Sequence, residues 1–351
     1  MSDAPAEPVA GVVVGVDGSE QSLRAAHWAA AQAHRRGLRL TVITSYSLPA
    51  FAASSMDGGY AMMDDESLRA GAEKVIEQAK EFLRDFPGEV DYRIESGDPA
   101  AVLLECSETA DQLVVGSRGR GGFLGRLLGS VSSALPAHAK CPTVLVPLKF
   151  SSKNENALTT ATGAIPIVSA EPQDVPGAQA PDSLIAEGAH PISTHDKRPV
   201  AAGVDGSDYG RVAALTAAQE ASERGTDLRL VCALPPLGAT LVWIPTNIED
   251  TQAIEELHEK LESGRAWLNS HFPDLTIKAE VIDGAAVDVL VEETRSAQLT
   301  VLGTRGRGGF AGMLLGSTSQ GVLHHAEGPL MVVPEGSDDR IEDRPDFGPL
   351  L

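Results

Sequence analysis

The 351-residue chain has few aromatic side chains and few cysteines. Aromatic residues make up only 4% of it, whereas Ala, Val, Leu and Gly are abundant, a mixture typical of α/β layers packed through small residues. Cys106, Cys141 and Cys232 form no C-x-x-C pair and have no histidines at metal-ligand spacing. We therefore predict small buried hydrophobic side chains in a reducing compartment, rather than disulfides or a zinc site.

Positive charge and long apolar runs are also scarce. The net charge of −21 would repel phosphate backbones, which argues against a nucleic-acid partner. No apolar run approaches the ~20 residues that a membrane-spanning helix needs. The N-terminal segment MSDAPAEPVA lacks the basic and apolar regions of a signal peptide. These absences predict a cytoplasmic protein without a nucleic-acid or membrane partner.

The apolar pattern alternates between strand and helix periods, and it does so twice. In the first half we predict strands at Gly11–Val16, Leu38–Ser45, Val90–Glu95, Gln112–Val115 and Pro142–Pro147. The helices predicted between them are Glu20–Arg36, Glu66–Phe86, Ala100–Thr109 and Ser130 to about Ala139. This order predicts a doubly wound, mostly parallel, five-stranded sheet of Rossmann-like type. Prolines at both ends of the last strand indicate a sheet edge.

The second half restarts the first. The segment PVAAGVDGSDYG from Pro199 matches GVVVGVDGSEQS from Gly11, which indicates an internal repeat. We predict one domain over residues 1–149, a flexible linker over 150–198, a second domain over 199–335 and an acidic disordered tail over 336–351. In each domain a long irregular stretch, 48–65 or 235–251, is predicted to be a lid or a mobile connection.

One glycine-rich stretch is nearly identical in the two halves. Residues 114–130 read VVGSRGRGGFLGRLLGS and residues 301–317 read VLGTRGRGGFAGMLLGS, with 13 of 17 positions identical. Each copy runs from a short strand through an amide-rich loop to a helix start, an arrangement that favours an anion such as a nucleotide phosphate. It is not a P-loop, because no lysine follows Gly121 or Gly122. It is not a dinucleotide fingerprint either, because Leu124 stands at the third glycine position and the loop follows the fourth strand.

The glycine spacing does fit the pattern G-x2-G-x9-G-[ST] in both copies. Together with an Asp that closes the first strand of each half, this resembles the ATP-binding class of universal stress proteins, and the arrangement resembles the tandem members found in actinobacteria. The resemblance implies one ATP in each repeat, with Mg²⁺. Because the sequence offers no clear general base and no P-loop lysine, we expect turnover to be slow or absent. The resemblance also implies pairing of the two repeats through their last strands, Thr143–Val146 with Leu330–Val333, and a possible homodimer.

Elementary chemistry assigns a role to each part of the loop. Gly116 leaves room for a ligand at the strand end, and Gly119 supplies a turn with positive φ. Gly129 permits close backbone approach, while Ser130 caps the next helix and donates to phosphate. Ser117 and its counterpart Thr304 add hydroxyl donors.

The resemblance completes the set of candidate nucleotide-binding residues. In the first repeat these are Gly15, Asp17, Ser45, Gly116, Ser117, Arg118, Gly119, Arg120, Gly121, Gly122, Gly129, Ser130 and Val131. In the second they are Gly203, Asp205, Ala233, Gly303, Thr304, Arg305, Gly306, Arg307, Gly308, Gly309, Gly316, Ser317 and Thr318.

Each of these assignments has a structural alternative. In these alternatives the glycine-rich loop is only a tight connection between elements, Asp17 and Asp205 are helix-cap residues, and the four loop arginines are solvated surface charges. At the level of function, two alternatives stay open: an ATP-consuming enzyme related to the adenine-nucleotide α-hydrolases, and a nucleotide-free interaction scaffold. Those enzymes carry a serine- and glycine-rich pyrophosphate loop after the first strand, whereas Asp17-Gly18-Ser19 is too short and lacks the expected glycines.

Overall fold

The computed structural model describes residues 9–47, 65–119, 128–147, 196–234, 248–306, 314–336 and 339–341, with only the backbone for 248–254. Most of the predicted lids, linker and tail therefore lies outside the described residues, but residue 65 and residues 248–251, which were predicted to be irregular, belong to helices. The boundaries of the linker and the tail stay predictions.

The first repeat alternates strands and helices. Its strands are β1 (Val12–Gly15), β2 (Leu40–Tyr46), β3 (Val90–Ser96), β4 (Gln112–Gly116) and β5 (Thr143–Val146). Its helices are α1 (Glu20–Arg36), α2 (Asp65–Phe82), α3 (Pro99–Cys106) and α4 (Ser130–His138). The predicted α2 ends four residues too late because Leu83 and Phe86 continue the apolar pattern, and the predicted α3 ends three residues too late because residues 107–109 form a hydrogen-bonded turn instead of more helix.

The second repeat has the same order of elements. Its strands are β6 (Val200–Gly203), β7 (Leu228–Leu234), β8 (Ile277–Asp283), β9 (Leu299–Gly303) and β10 (Leu330–Val333). Its helices are α5 (Asp208–Arg224), α6 (Ile248–His271), α7 (Ala286–Ser296) and α8 (Ser317–His325), and a short 3-10 turn follows at Asp339–Ile341.

The ten strands found in the described ranges form one sheet, in the order β3-β2-β1-β4-β5-β10-β9-β6-β7-β8. Every neighbouring pair is parallel except β5 and β10, which run antiparallel with Met331 opposite Val144. The predicted class of fold is confirmed. The order also places the carboxyl ends of β1 and β4 side by side, the switch point at which doubly wound sheets bind ligands.

The proline-flanked strand β5 is an edge only within its own repeat. Within the repeat it is the edge that its flanking prolines indicate, and in the whole sheet it lies between β4 and β10, in agreement with the expected pairing of the two last strands. Its backbone groups on the far side bond to β10 instead of meeting solvent. The outer strands of the ten-stranded sheet are β3 and β8.

Two apolar cores cover the two faces of the sheet, and each extends through both repeats. One joins α1, α2, α5 and α6, with Trp28, Leu215 and Leu268 among its buried residues. The other joins α3, α4, α7 and α8, with Leu135 and Leu323. Because neither core stops at the boundary between β5 and β10, the two repeats share their apolar interior.

Candidate functional site

A cavity of about 510 Å³ lies at the carboxyl ends of β1, β2 and β4. Its walls also include α2, the start of α3 and the start of α4. Among its described lining residues, Asp17 and Arg118 carry formal charges, and Ile43, Val75 and Leu103 supply apolar surface. The structure brings together around it these predicted site residues: Gly15, Asp17, Ser45, Gly116, Arg118, Gly119, Gly129, Ser130 and Val131.

Asp17 supports the start of α1 from inside this cavity. Its Oδ1 accepts hydrogen bonds from the Ser19 amide at 3.0 Å and the Ser19 hydroxyl at 2.6 Å. Ser19 is the residue that caps α1, since its Oγ accepts from the Ser22 amide. Asp17 is therefore not the helix cap itself. It orients Ser19, which caps α1, and its carboxylate also borders the cavity.

Gly119 is needed for close approach, not for an unusual backbone angle. The prediction of a positive φ at Gly119 is wrong, because the described residues with positive φ do not include it. A Cβ added at this position would overlap Asp17 Oδ2. The glycine therefore lets the loop after β4 lie directly against the carboxylate that holds the start of α1. The loop and the Asp that closes β1 are in this way in direct contact.

Gly116 and Gly15 are also required by packing within the protein. A Cβ on Gly116 would meet Gln21 Cγ at 3.0 Å and the Gln21 carbonyl at 3.2 Å, so the missing side chain makes room for α1. A Cβ on Gly15 would meet Leu103 Cδ1 at 2.7 Å, which makes room for α3. The expectation that Gly116 leaves room for a ligand is therefore wrong, because Gln21 of α1 occupies the space that a side chain at position 116 would need.

The N-terminus of α4 opens into the cavity without a side-chain cap. The cap residue is Gly129, and Ser130 is the first helical residue, so the predicted capping by Ser130 is wrong. A Cβ on Gly129 would meet Ser132 Oγ at 3.4 Å, which is ordinary contact, so the predicted close approach at Gly129 does not require a glycine. The exposed Ser130 side chain lines the cavity without closing the helix end.

Sequence reasoning missed Ser132. Its hydroxyl is buried and donates to the Gly116 carbonyl at 2.8 Å, which ties the start of α4 to the end of β4. Ser319 makes the equivalent bond to the Gly303 carbonyl at 2.7 Å. The signal was present in the sequence, because a serine stands two positions after the motif's last serine in both copies.

The side chains of Ser117 and Arg118 face different parts of the structure. Gln21 Nε2 donates to Ser117 Oγ at 2.7 Å, and Ser117 does not line the first cavity, so the predicted hydroxyl donor points elsewhere. Arg118 lines both the first cavity and a second one of about 430 Å³, which lies at the boundary between the repeats. The described part of the second cavity includes Leu145, Leu330 and His324.

The second repeat reproduces the backbone of the site. Asp205 accepts from the Ser207 amide at 3.0 Å, and a Cβ on Gly306 would overlap Asp205 Oδ2. Gly316 caps α8 without a side chain, as Gly129 caps α4. The remaining predicted residues stand at equivalent positions: Gly203 and Ala233 at strand ends, Gly303 and Thr304 after β9, and Ser317 and Thr318 in the first turn of α8.

The arginine of the second loop is held by a tyrosine. Tyr209 occupies the position of Gln21, and Arg305 Nη1 donates to its hydroxyl at 3.0 Å. The guanidinium also lies over the tyrosine ring, 5.5 Å from its centroid. The Tyr209 hydroxyl donates in turn to Glu335 at 2.9 Å. Partial burial, followed by the hydrogen bond to Glu335, raises the pKa of Tyr209.

Six of the predicted loop residues cannot be placed. Arg120, Gly121, Gly122, Arg307, Gly308 and Gly309 lie outside the described residues. For Arg120 and Arg307, both the phosphate contact and the alternative of a solvated surface charge stay predictions.

Two of the cysteines, Cys141 and Cys232, are buried as predicted, whereas Cys106 is only half-buried. Burial raises the pKa of Cys106 to about 11 and that of Cys141 to about 12, so both are thiols near neutral pH. Within the described ranges no cluster of three metal-ligating side chains occurs. Over the same ranges, none of the helices combines the length and apolar character that crossing a membrane requires.

These features define a tandem, doubly wound α/β protein in which a glycine-rich loop and a helix N-terminus border a cavity at the switch point. The sequence profile of the universal stress protein family matches residues 11–147 and 197–334. The chain belongs to this family, and the predicted family and tandem organisation are confirmed.

Individual relatives agree with this assignment. A Mycobacterium tuberculosis universal stress protein is 30% identical over 325 residues, which cover 92% of this chain and 96% of the relative. The fold is similar to the crystal structure of an Archaeoglobus fulgidus universal stress protein, with a TM-score of 0.58, 17% identity and coverage of 93% of this chain and 97% of that one. A universal stress protein solved in complex with cAMP is 30% identical over 39% of this chain and 95% of its own, with a TM-score of 0.31.

Proposed function

We propose that this chain is a cytoplasmic, ATP-binding universal stress protein that holds one nucleotide in each repeat and turns it over slowly or not at all. The observation that carries the proposal is the N-terminus of α4, whose first residues line the cavity while the cap residue Gly129 offers no side chain. Unsatisfied amides at a helix start, together with the helix dipole, favour a phosphate group.

The rest of the cavity fits the remainder of such a ligand. Its volume of about 510 Å³ lies within the ~300–1,000 Å³ typical of small-molecule sites. Ile43, Val75 and Leu103 offer apolar surface to a base, and Ser45 offers a hydroxyl at the same end of β2. Arg118 contributes a positive charge in a chain whose net charge is −21.

Asp17 is the acidic residue of the described lining, and it would face a Mg²⁺ ion that travels with the phosphates. When bound, this ion neutralises part of the phosphate charge. The protein's own contribution is to orient Asp17 through Ser19 and to bring the loop against it at Gly119.

The pairing of β5 with β10 supports an intrachain pair of repeats as the working unit. In this proposal the nucleotide stabilises that unit, since a ligand that binds only the folded form shifts the folding equilibrium towards it. Light scattering would then give the mass of one chain, or of two if the pairs also form a homodimer.

The test begins with the purified full-length protein. The nucleotide released by denaturation is identified by mass spectrometry, and the emptied protein is titrated with Mg²⁺ and ATP, ADP or cAMP in a calorimeter. We expect two ATP sites per chain and a higher melting temperature with ATP. A protein that retains no nucleotide and shows no thermal shift would overturn the proposal. Steady phosphate release at enzymatic rates would favour the hydrolytic alternative instead.

A further inference from the structure

A buried polar cluster joins the two repeats where α1 packs against α5. Gln32 Nε2 donates to both carboxylate oxygens of Glu220, at 2.7 and 2.8 Å. Arg224 Nη2 donates to Gln32 Oε1 at 2.7 Å, and the Arg224 guanidinium lies over the Trp28 ring, 5.5 Å from its centroid. Arg36 forms an ion pair with Glu223 at 3.3 Å. All of these contacts cross from one repeat to the other.

The cluster lies on the axis that relates the two repeats. Position 32 is equivalent to position 220, because both stand 15 residues after the Asp that ends the first strand of their repeat. A contact between equivalent positions is the signature of a two-fold axis. In the sheet, Val144 and Met331 are equivalent in the same way, and they pair across β5 and β10.

The side chains at these equivalent positions differ in charge between the repeats. The first repeat places Gln32, Arg35 and Arg36 on this face, two positive charges and no negative one. The second places Glu220, Glu223 and Arg224 at the equivalent positions, two negative charges and one positive. We call these two sets row 1 and row 2.

We propose that the two rows make the first repeat select the second and reject a copy of itself. Two copies of row 1 would bring four arginines together without a carboxylate from either row. Two copies of row 2 would bring together four carboxylates and only two arginines. The mixed pair satisfies both sets, because Glu220 and Glu223 receive hydrogen bonds or ion pairs from row 1.

Burial makes this selection strong. Gln32 is 1% exposed and Glu220 is 4% exposed, and Glu220 already pairs with Arg224 of its own row at 3.0 Å, so a second carboxylate at position 32 would be buried beside Glu220 without access to water. Positive charge is already crowded in this cluster: burial, and then the proximity of Arg224, lowers the pKa of Arg35 to about 10. Like-charge contacts that penalise the wrong partner are a general route to specificity.

The test exchanges the rows in the full chain. Variant A (Gln32→Glu, Arg35→Glu) places row 2 on both repeats, and variant B (Glu220→Gln, Glu223→Arg) places row 1 on both. Variant AB carries all four substitutions and restores complementary rows with the sides exchanged. We expect A and B each to lower the melting temperature by about 5 °C or more, and AB to recover at least half of the loss.

This recovery distinguishes selection from general intolerance to substitution. If the four changes acted independently, AB would be the least stable variant, and that result would overturn the proposal. Full recovery is not expected, because Gln298 also accepts from Arg224, and its equivalent in the first repeat is Asp111.

A second measurement does not depend on whether A and B fold alone. Isotopically distinct A and B are unfolded, mixed in equal amounts, refolded and examined by native mass spectrometry. Their repeats are complementary only between chains, so we expect A–B heterodimers well above the level found for two labelled forms of the unaltered protein. No enrichment over that control would overturn the proposal.

Discussion

The two candidate sites share a backbone framework and differ in the polar side chains around it. In both repeats an Asp holds the serine that caps the first helix, a glycine lies against that Asp, and a buried serine ties the last helix to its strand. Around this framework Gln21 is replaced by Tyr209, and Ser45 by Ala233. The comparison teaches that the two repeats share the backbone geometry of the loop and the helix start, while the polar side chains around it differ.

We expect the largest effect from the contact between glycine and aspartate that both repeats share. In Gly119→Ala the added methyl group would overlap the Asp17 carboxylate, so we expect the first site to lose more than about tenfold in ATP affinity. Calorimetry should then count one nucleotide per chain instead of two. Gly306→Ala is the matched control and should silence only the second site. Two unaltered sites in both variants would contradict this account of the loop.

Removing the Tyr209 hydroxyl should make the two sites more alike. Tyr209→Phe keeps the ring under Arg305 but removes the hydrogen bond at 3.0 Å, so the guanidinium becomes available to a phosphate. We expect a gain of about threefold in ATP affinity at the second site, since one hydrogen bond contributes roughly 0.5–1.5 kcal/mol. The measurement is made in Gly119→Ala, so that only the second site reports. An unchanged or weaker affinity would show that the tyrosine does not restrain Arg305 in this way.

The smallest effect is expected at the end of the second strand of each repeat. Ser45→Ala should weaken the first site about twofold, because it removes a hydroxyl that lines the cavity. Ala233→Ser should strengthen the second site by a similar factor. Each is titrated in the background that silences the other site, Gly306→Ala or Gly119→Ala. Shifts in the same direction at both sites would exclude a hydroxyl contact as the cause.

The local sequence pattern predicted the bounds of a helix correctly where a single physical feature marks each end. The bounds of α1 were predicted correctly because Ser19 caps its start and Gly37, with φ of 62°, ends it. The start of α4 was predicted one residue away from its true cap, because a serine next to a glycine offers two candidate caps and only the backbone decides between them. The end of α2 was missed because Leu83 and Phe86 continue the apolar pattern beyond it, and the end of α3 was missed because the turn at residues 107–109 has no sequence signal of its own.

The candidate site shows a similar division. The positions of the glycines could be identified from their spacing in the two copies. The contacts that require a glycine at each position could not. Gly116 faces α1, Gly15 faces α3 and Gly119 faces Asp17, and each contact joins residues distant in the chain. The repeated serine at positions 132 and 319 was visible in the sequence, but its role was not, because its hydroxyl bonds to a carbonyl 16 residues away.

The sequence by itself determined that this is a duplicated α/β chain, where each repeat begins and which loop belongs to the site, because periodicity and internal repetition are local properties. Only the tertiary structure decided that α4 presents its open end to a cavity, that Arg305 is held by Tyr209, and that Gln32 meets Glu220 between the repeats. These contacts join residues up to 188 positions apart. Their geometry arises when the two apolar cores close over one continuous sheet, and no short stretch of sequence contains it.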